Sequence, residues 1–153
     1  MNTKMPPPLT ELKLPPALQE AITTAFARTR PISVAYVSAD QRPQLSFRGS
    51  TQAYSETQLA IWVRPSKGGL AAALEKNPHL VLLYGDITPD SRAFVTFRGR
   101  GRIDNTEAVR RKVYETMHPL ERDRDPERKG KPLIIDLDSV DGIFAGQVLQ
   151  MRR

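Results

Sequence analysis

The chain has 153 residues, 39% of them apolar and 26% charged, with 23 basic residues against 17 acidic ones and a formal net charge of +6. That is the size and balance of one soluble domain with a proper core. The absence of cysteine excludes disulfides, thiolate metal sites and cysteine nucleophiles. No apolar run is long enough for a membrane helix and no signal-peptide pattern opens the chain, so a cytoplasmic location is expected.

Residues 1–14 carry Pro6-Pro7-Pro8 and little periodicity, and read as a flexible or extended leader ahead of a domain over 15–153. Pro15-Pro16 opens a helix in which Leu18, Ile22 and Phe26 recur every four residues, to about Arg28. Ile32 to Val37 is rich in β-branched and aromatic residues and reads as a strand.

A hairpin then follows. Its outgoing arm, Pro43 to Gln52, alternates Leu45, Phe47, Gly49 and Thr51 with Ser46, Arg48, Ser50 and Gln52. The turn lies near Ser55-Glu56-Thr57, and the return arm, Leu59 to Lys67, alternates Leu59, Ile61 and Val63 with Ala60, Trp62 and Arg64. This register sets Ser50 opposite Trp62 and Arg48 opposite Arg64. Facing arginines repel. Either they splay into water, or an anion joins them, with Ser66 and Lys67 just beyond and an aromatic ring alongside.

Gly68-Gly69 breaks the chain before a short helix, Leu70 to Lys76, that ends at Asn77-Pro78. Its first turn would add backbone N–H groups beside Ser66 and Lys67. His79 to Tyr84 reads as a strand buried on both faces, with His79 a structural or exposed imidazole at its start. Arg92 to Ile103 is a long strand whose Arg98, Arg100 and Arg102 share one face, read as solvated, while Gly99 and Gly101 share the other.

Asp104 and Glu107 suit a capping pair for a helix through Val109, Val113 and Met117. His118 sits at its C-terminal end, where a positive charge is favourable. Glu121 to Lys131 is charge-dense and reads as a mobile surface loop. Leu133 to Leu137 and Ile143 to Met151 read as strands, with Asp141-Gly142 as a hairpin turn. The sum is a mainly β chain with accessory helices, in a six- or seven-stranded antiparallel barrel or sandwich.

The sequence holds no phosphate loop, no dinucleotide glycine fingerprint and no paired metal histidines, so no metal site is expected. Its two histidines have structural explanations, and no carboxylate pair stands out as acid and base. An enzyme built this way would leave the chemistry to a cofactor.

The element order resembles the pyridoxamine 5′-phosphate oxidase-like family of FMN-binding split barrels, over roughly residues 17 to 150. The segments Pro43 to Ser50, Leu59 to Lys67 and Lys76 to Leu83 carry it, with the basic, glycine-containing strand Phe94 to Ile103. The resemblance implies a split β-barrel homodimer with FMN at the subunit interface. Carried over, Arg48, Gly49, Ser50 and Thr51 would line the ribityl chain and ring edge, and Trp62 and Val63 would lie against the flavin. Ser66 and Lys67, with Arg64 or Arg48, would hold the phosphate. The chain departs from the true oxidase at Phe94, where a polar flavin contact is common, and at its end, Met151-Arg152-Arg153, which has no tryptophan–arginine pair.

The resemblance therefore implies an FMN-dependent oxidoreductase of open substrate and electron donor, and not the vitamin-phosphate oxidase itself. Related split barrels hold a deazaflavin or haem, or act as non-catalytic flavin-binding or stress-related proteins. A nucleic-acid-binding barrel using Arg98, Arg100 and Arg102 is the remoter alternative, since that row lacks interleaved aromatic platforms.

Overall fold

The computed structural model describes residues 5–65 and 69–153. Nine strands and four helices follow in the order β1 (Leu9–Glu11), α1 (Pro16–Thr23), β2 (Ser33–Val37), β3 (Pro43–Phe47), β4 (Gln52–Ser55), β5 (Gln58–Val63), α2 (Leu70–Lys76), β6 (His79–Asp86), β7 (Ala93–Ile103), α3 (Glu107–Thr116), α4 (Pro119–Arg122), β8 (Lys131–Phe144) and β9 (Gln147–Arg152). The strands run β1-β9-β8-β7-β6-β2-β3, with β5 added to β8 and β4 to β5. The result is an open split barrel. Every ladder is antiparallel except β1 with β9.

Two strands exceed the sequence expectation, each for a local reason. The outgoing hairpin arm is not continuous. The N–H and hydroxyl of Thr51 both donate to the Arg48 carbonyl, at 3.1 and 2.7 Å, and the chain turns there. One arm thus becomes β3, paired with β2, and β4, paired with β5. The other extra strand lies in the expected leader. Leu9 and Glu11 pair with β9, the Gln147 side chain donates to the Pro7 carbonyl, and Leu12 and Leu14 are buried. The leader is extended, as read, but from Leu9 onward it is anchored.

The last hairpin also turns later than Asp141-Gly142. Strand β8 continues through those residues, and the reversal falls at Ala145 and Gly146, both with positive φ. Gly142 serves the ladder instead. The Phe94 carbonyl of β7 lies where its Cβ would be, at a φ of 139°.

Apolar residues at period two on β2, β5, β6, β7 and β8 fill the barrel together with Leu18 and Ile22 of α1. Helix α3 lies on the opposite side of β4, β5 and β8 and closes a smaller cluster of Ala60, Trp62, Val113, Tyr114, Met117 and Ile134. Helix α2 packs against β7 because Gly101 leaves room. A Cβ there would meet Leu74 Cδ1 at 2.7 Å. The expected capping pair is replaced by a turn in which Asp104 accepts from the N–H and hydroxyl of Thr106.

Strand β6 is buried on one face only. Its outer face carries Leu83, which the register places in one row with Phe47, Ser33 and Thr96, while Phe94 faces Ile143. Leu45, Phe47, Leu83, Phe94 and Ile143 leave an exposed apolar strip over this side of the sheet. Among the described residues, no helix is long and apolar enough to cross a membrane.

Candidate functional site

Strand β5 ends beside the start of β8, with Val63 opposite Lys131 and Trp62 opposite Pro132. Arg64 and Pro65 continue from β5, and Gly69 leads back into α2. Between them lies a cavity of about 240 Å³ lined by Val63, Arg64, Pro65, Gly69, Ala71, Ala72, Lys129 and Lys131. Three cationic side chains and an apolar wall thus share one opening. Among the described residues, Lys129 pairs with Glu127 at 2.9 Å on the exposed surface, and no acid pairs with Arg64 or Lys131.

The two lysines are delivered by the segment expected to be a mobile loop. It is pinned instead. The buried Asp125 carboxylate accepts from Trp62 Nε1 at 2.9 Å, from the Lys129 N–H at 2.9 Å and from the Gly130 N–H at 2.8 Å. Burial pushes this carboxyl up, but the Trp62 indole, the two backbone donors and the nearby Arg64 charge outweigh that and leave it below the usual range. Arg110 adds bonds to the carbonyls of Gly130 and Arg128 and lies over the Trp62 ring. Gly130 has no room for a side chain, because Trp62 Nε1 occupies the Cβ position.

The residues carried over from the family resemblance separate into three groups. Val63 and Arg64 line the cavity. Ser50, Thr51 and Trp62 are buried in the framework. Ser50 does sit beside Trp62, donating to its carbonyl and accepting from its N–H, both at 3.1 Å. The Trp62 indole packs edge-on to Tyr114 at 5.2 Å and binds Asp125, so its side chain faces α3 and not an open ligand face.

Arg48 and Gly49 form the third group, at the turn between β3 and β4. The Glu121 and Phe26 side chains cover Gly49, at 2.5 and 2.7 Å from a Cβ position. Arg48 is half-buried, and its Nε is sealed from solvent with no hydrogen-bond partner. The facing-arginine ladder is not formed, since β4 begins at Gln52 and β5 ends at Val63. Ser66 and Lys67 lie outside the described residues.

The structure also brings in Asp125, Lys129 and Lys131, which sequence reasoning missed. The signal was Asp125-Pro126-Glu127-Arg128-Lys129-Gly130-Lys131, in which an acid and a proline precede two bases and a glycine separates these from a third. The arginine row of β7 is matched by acids of β8. Arg98 meets Asp141 at 3.6 Å, Arg100 meets Asp138 at 3.0 Å and Arg102 meets Asp136 at 2.8 Å. It is an outer face, as expected, but paired. Among the described residues, no group of three or more acids and histidines is placed to hold a metal.

No family model and no curated protein sequence matches the chain. Among solved structures it is similar to HupZ of Group A Streptococcus, at 13% identity over 82% of this chain and 94% of that one, with a TM-score of 0.61. It is similar to an FMN-binding protein of Syntrophomonas wolfei, at 8% identity over 83% and 86%, with a TM-score of 0.63. A protein of Clostridium acetobutylicum related to general stress protein 26 and described as of the pyridoxinephosphate oxidase family shares 11% identity over 85% and 91%, with a TM-score of 0.60. The chain has the split-barrel fold of these proteins.

Proposed function

We propose that the chain is an FMN-binding protein that works as a homodimer in the cytoplasm, most simply as a flavin-dependent oxidoreductase with a small-molecule substrate or electron donor. The carrying observation is the cavity at the end of β5, where Arg64, Lys129 and Lys131 converge and, among the described residues, no acid forms an ion pair with Arg64 or Lys131. A phosphate monoester supplies the missing charge. The similarity in fold to a protein described as FMN-binding supplies the ligand class.

The residues present fit that group. Arg48 has a buried, unpartnered Nε–H, whereas the Nε–H of half-buried Arg100 donates to Asp138. Arg64, Lys129 and Lys131 would hold the phosphate, Val63 would offer an apolar wall, and Arg48 would reach a polar edge of the ligand. Ser50, Thr51 and Trp62 would act from behind, by fixing the backbone of β5. Bound FMN would supply hydride and electron transfer; the chain would bind, orient and exclude water.

The homodimer rests on the outer strip of Leu45, Phe47, Leu83, Phe94 and Ile143, of which Leu45 and Phe47 are 74% and 69% exposed. An apolar strip of that kind on an open sheet is an association surface. A nucleic-acid role loses its basis, since Arg98, Arg100 and Arg102 already have acidic partners.

Gel filtration with light scattering and absorbance detection tests both parts together. The expected result is one peak at the mass of two chains carrying the flavin spectrum, and loss of colour in Arg48→Ala. Leu83→Asp should elute as one chain, because a buried lone carboxylate disfavours the interface. A colourless protein that takes up no added FMN removes the proposal, and a deazaflavin or haem spectrum replaces it.

A further inference from the structure

Asp125 joins the two walls of the cavity. Of its three donors, the Trp62 indole belongs to β5 two residues before Arg64. The backbone N–H groups of Lys129 and Gly130 belong to the loop that carries Lys129 and leads into Lys131. The same carboxylate therefore helps set how far Lys129 stands from Arg64, while the β5–β8 ladder holds Lys131 opposite Val63. The loop needs such a tie, because Arg64, Lys129 and Lys131 repel one another when no anion lies between them.

Other contacts also hold the loop. The Tyr114 hydroxyl donates to the Asp125 carbonyl at 3.0 Å, and Arg128 lies over the Tyr114 ring at 4.4 Å. Arg110 binds the carbonyls on either side of Lys129. Among the described residues, Asp125 binds the Trp62 indole N–H of the strand that bears Arg64, and Arg110 bridges the loop to the face of the same indole. The steric fit agrees, since Gly130 touches the Trp62 indole and the Val63 carbonyl.

We propose that Asp125 is a positioning residue for phosphate recognition, holding Lys129 beside Arg64 and the ladder-fixed Lys131 so that three cations converge on a phosphate monoester. The identity of the ligand rests on the FMN reading above; the clamp itself does not. Asp125 touches no ligand and acts through the loop. Its effect falls on the phosphate end alone, because Arg48 and Val63 are placed by other contacts.

The test compares FMN with riboflavin, which differ only by the phosphate, in fluorescence titrations of wild type, Asp125→Ala and the Lys129→Ala/Lys131→Ala pair. In both variants FMN affinity should fall about tenfold or more, while riboflavin affinity stays within about twofold of wild type. Salt should also weaken FMN binding less steeply in the variants. Equal loss for both flavins in Asp125→Ala, or unchanged FMN affinity in the lysine pair, overturns the clamp.

If Asp125→Ala does not fold, Trp62→Phe removes one donor and keeps most of the ring volume. The same selective loss is expected, and equal loss for both flavins overturns the proposal. If wild type ignores FMN, inorganic phosphate replaces it in calorimetry. Phosphate binding that weakens in the same variants then keeps the clamp while the flavin reading falls, and no phosphate binding by wild type overturns both.

Discussion

The molecule carries two sets of cations, and strand β8 serves both. On the outer face of the sheet, Asp136, Asp138 and Asp141 of β8 meet Arg102, Arg100 and Arg98 of β7. Arg153 and Arg152 share Asp138 and Asp141. At the start of the same strand, Lys131 joins Arg64 and Lys129 around a cavity, and the nearest buried carboxylate, Asp125, already accepts three N–H donors. The first set is complete and explains architecture. The second leaves charge to be met from outside, and so points to a ligand. Net charge alone does not distinguish them.

The widest separation is expected from neutralising the cavity. Arg64→Ala with Lys131→Ala should weaken FMN by about 100-fold, as loss of two charge-assisted contacts implies. The urea midpoint should hold or rise, since like charges are removed. A loss of stability without a loss of FMN affinity would put this set in the same class as the outer one.

A smaller effect of opposite kind is expected from the outer face. Asp136→Asn with Asp138→Asn leaves Arg100 and Arg153 without their ion-pair partners and Arg102 with Asp104 alone. The thermal midpoint should fall by about 2–4 °C, as for loss of roughly 1 kcal/mol in a domain of this size. FMN affinity should not change. The freed arginines should bind heparin at low salt and release it as salt rises. Heparin binding by wild type of equal strength would mean that the pairing does not mask the row.

These contrasts also mark what the sequence could show. Alternation made β5 and the arginine half of β7 legible, and runs of apolar and β-branched residues made β2, β6 and β8 legible, although β6, read as buried on both faces, has one face exposed and β5 is buried on both. The break between β3 and β4 was not, since Leu45, Phe47, Gly49 and Thr51 keep the same alternation whether or not Thr51 turns back to Arg48. The strand β1 was hidden because its partner lies at the other end of the chain. Arg64 was legible by its place beside a glycine break. Lys129 and Lys131 were not, because Lys129 depends on Asp125 meeting Trp62, 63 residues away, and Lys131 on β8 pairing with β5. Nor could the pattern show that α3 covers the Trp62 face of β5.

Acid offers the finest discrimination between the two sets. The carboxyl of Asp86 is lowered to about 2, chiefly by the hydroxyl and N–H of Thr88, against the opposing effect of burial, with Arg30 assisting. Asp136 and Asp104 are lowered as well. In Asp136 burial acts upward and the bonds from Arg102 and Gln58 prevail; in Asp104 the Thr106 hydroxyl dominates. A carboxyl whose pKa is lower in the fold than in the unfolded chain stabilises the fold fully above the unfolded value, about 4. That contribution is lost as pH falls through the folded value. The urea midpoint should therefore be level between about pH 5 and 7 and drop from about pH 4 towards pH 2. Asp86→Asn and Asp136→Asn should each lower the plateau and make the drop shallower. Arg64→Ala with Lys131→Ala should change its shape less than either, because among the described residues Arg64 acts on Asp125 only as the smallest of several causes and no carboxylate forms an ion pair with Arg64 or Lys131. A drop as shallow as in Asp136→Asn would reveal an acid partner in the cavity, and the claim that its cations await an external anion would fail.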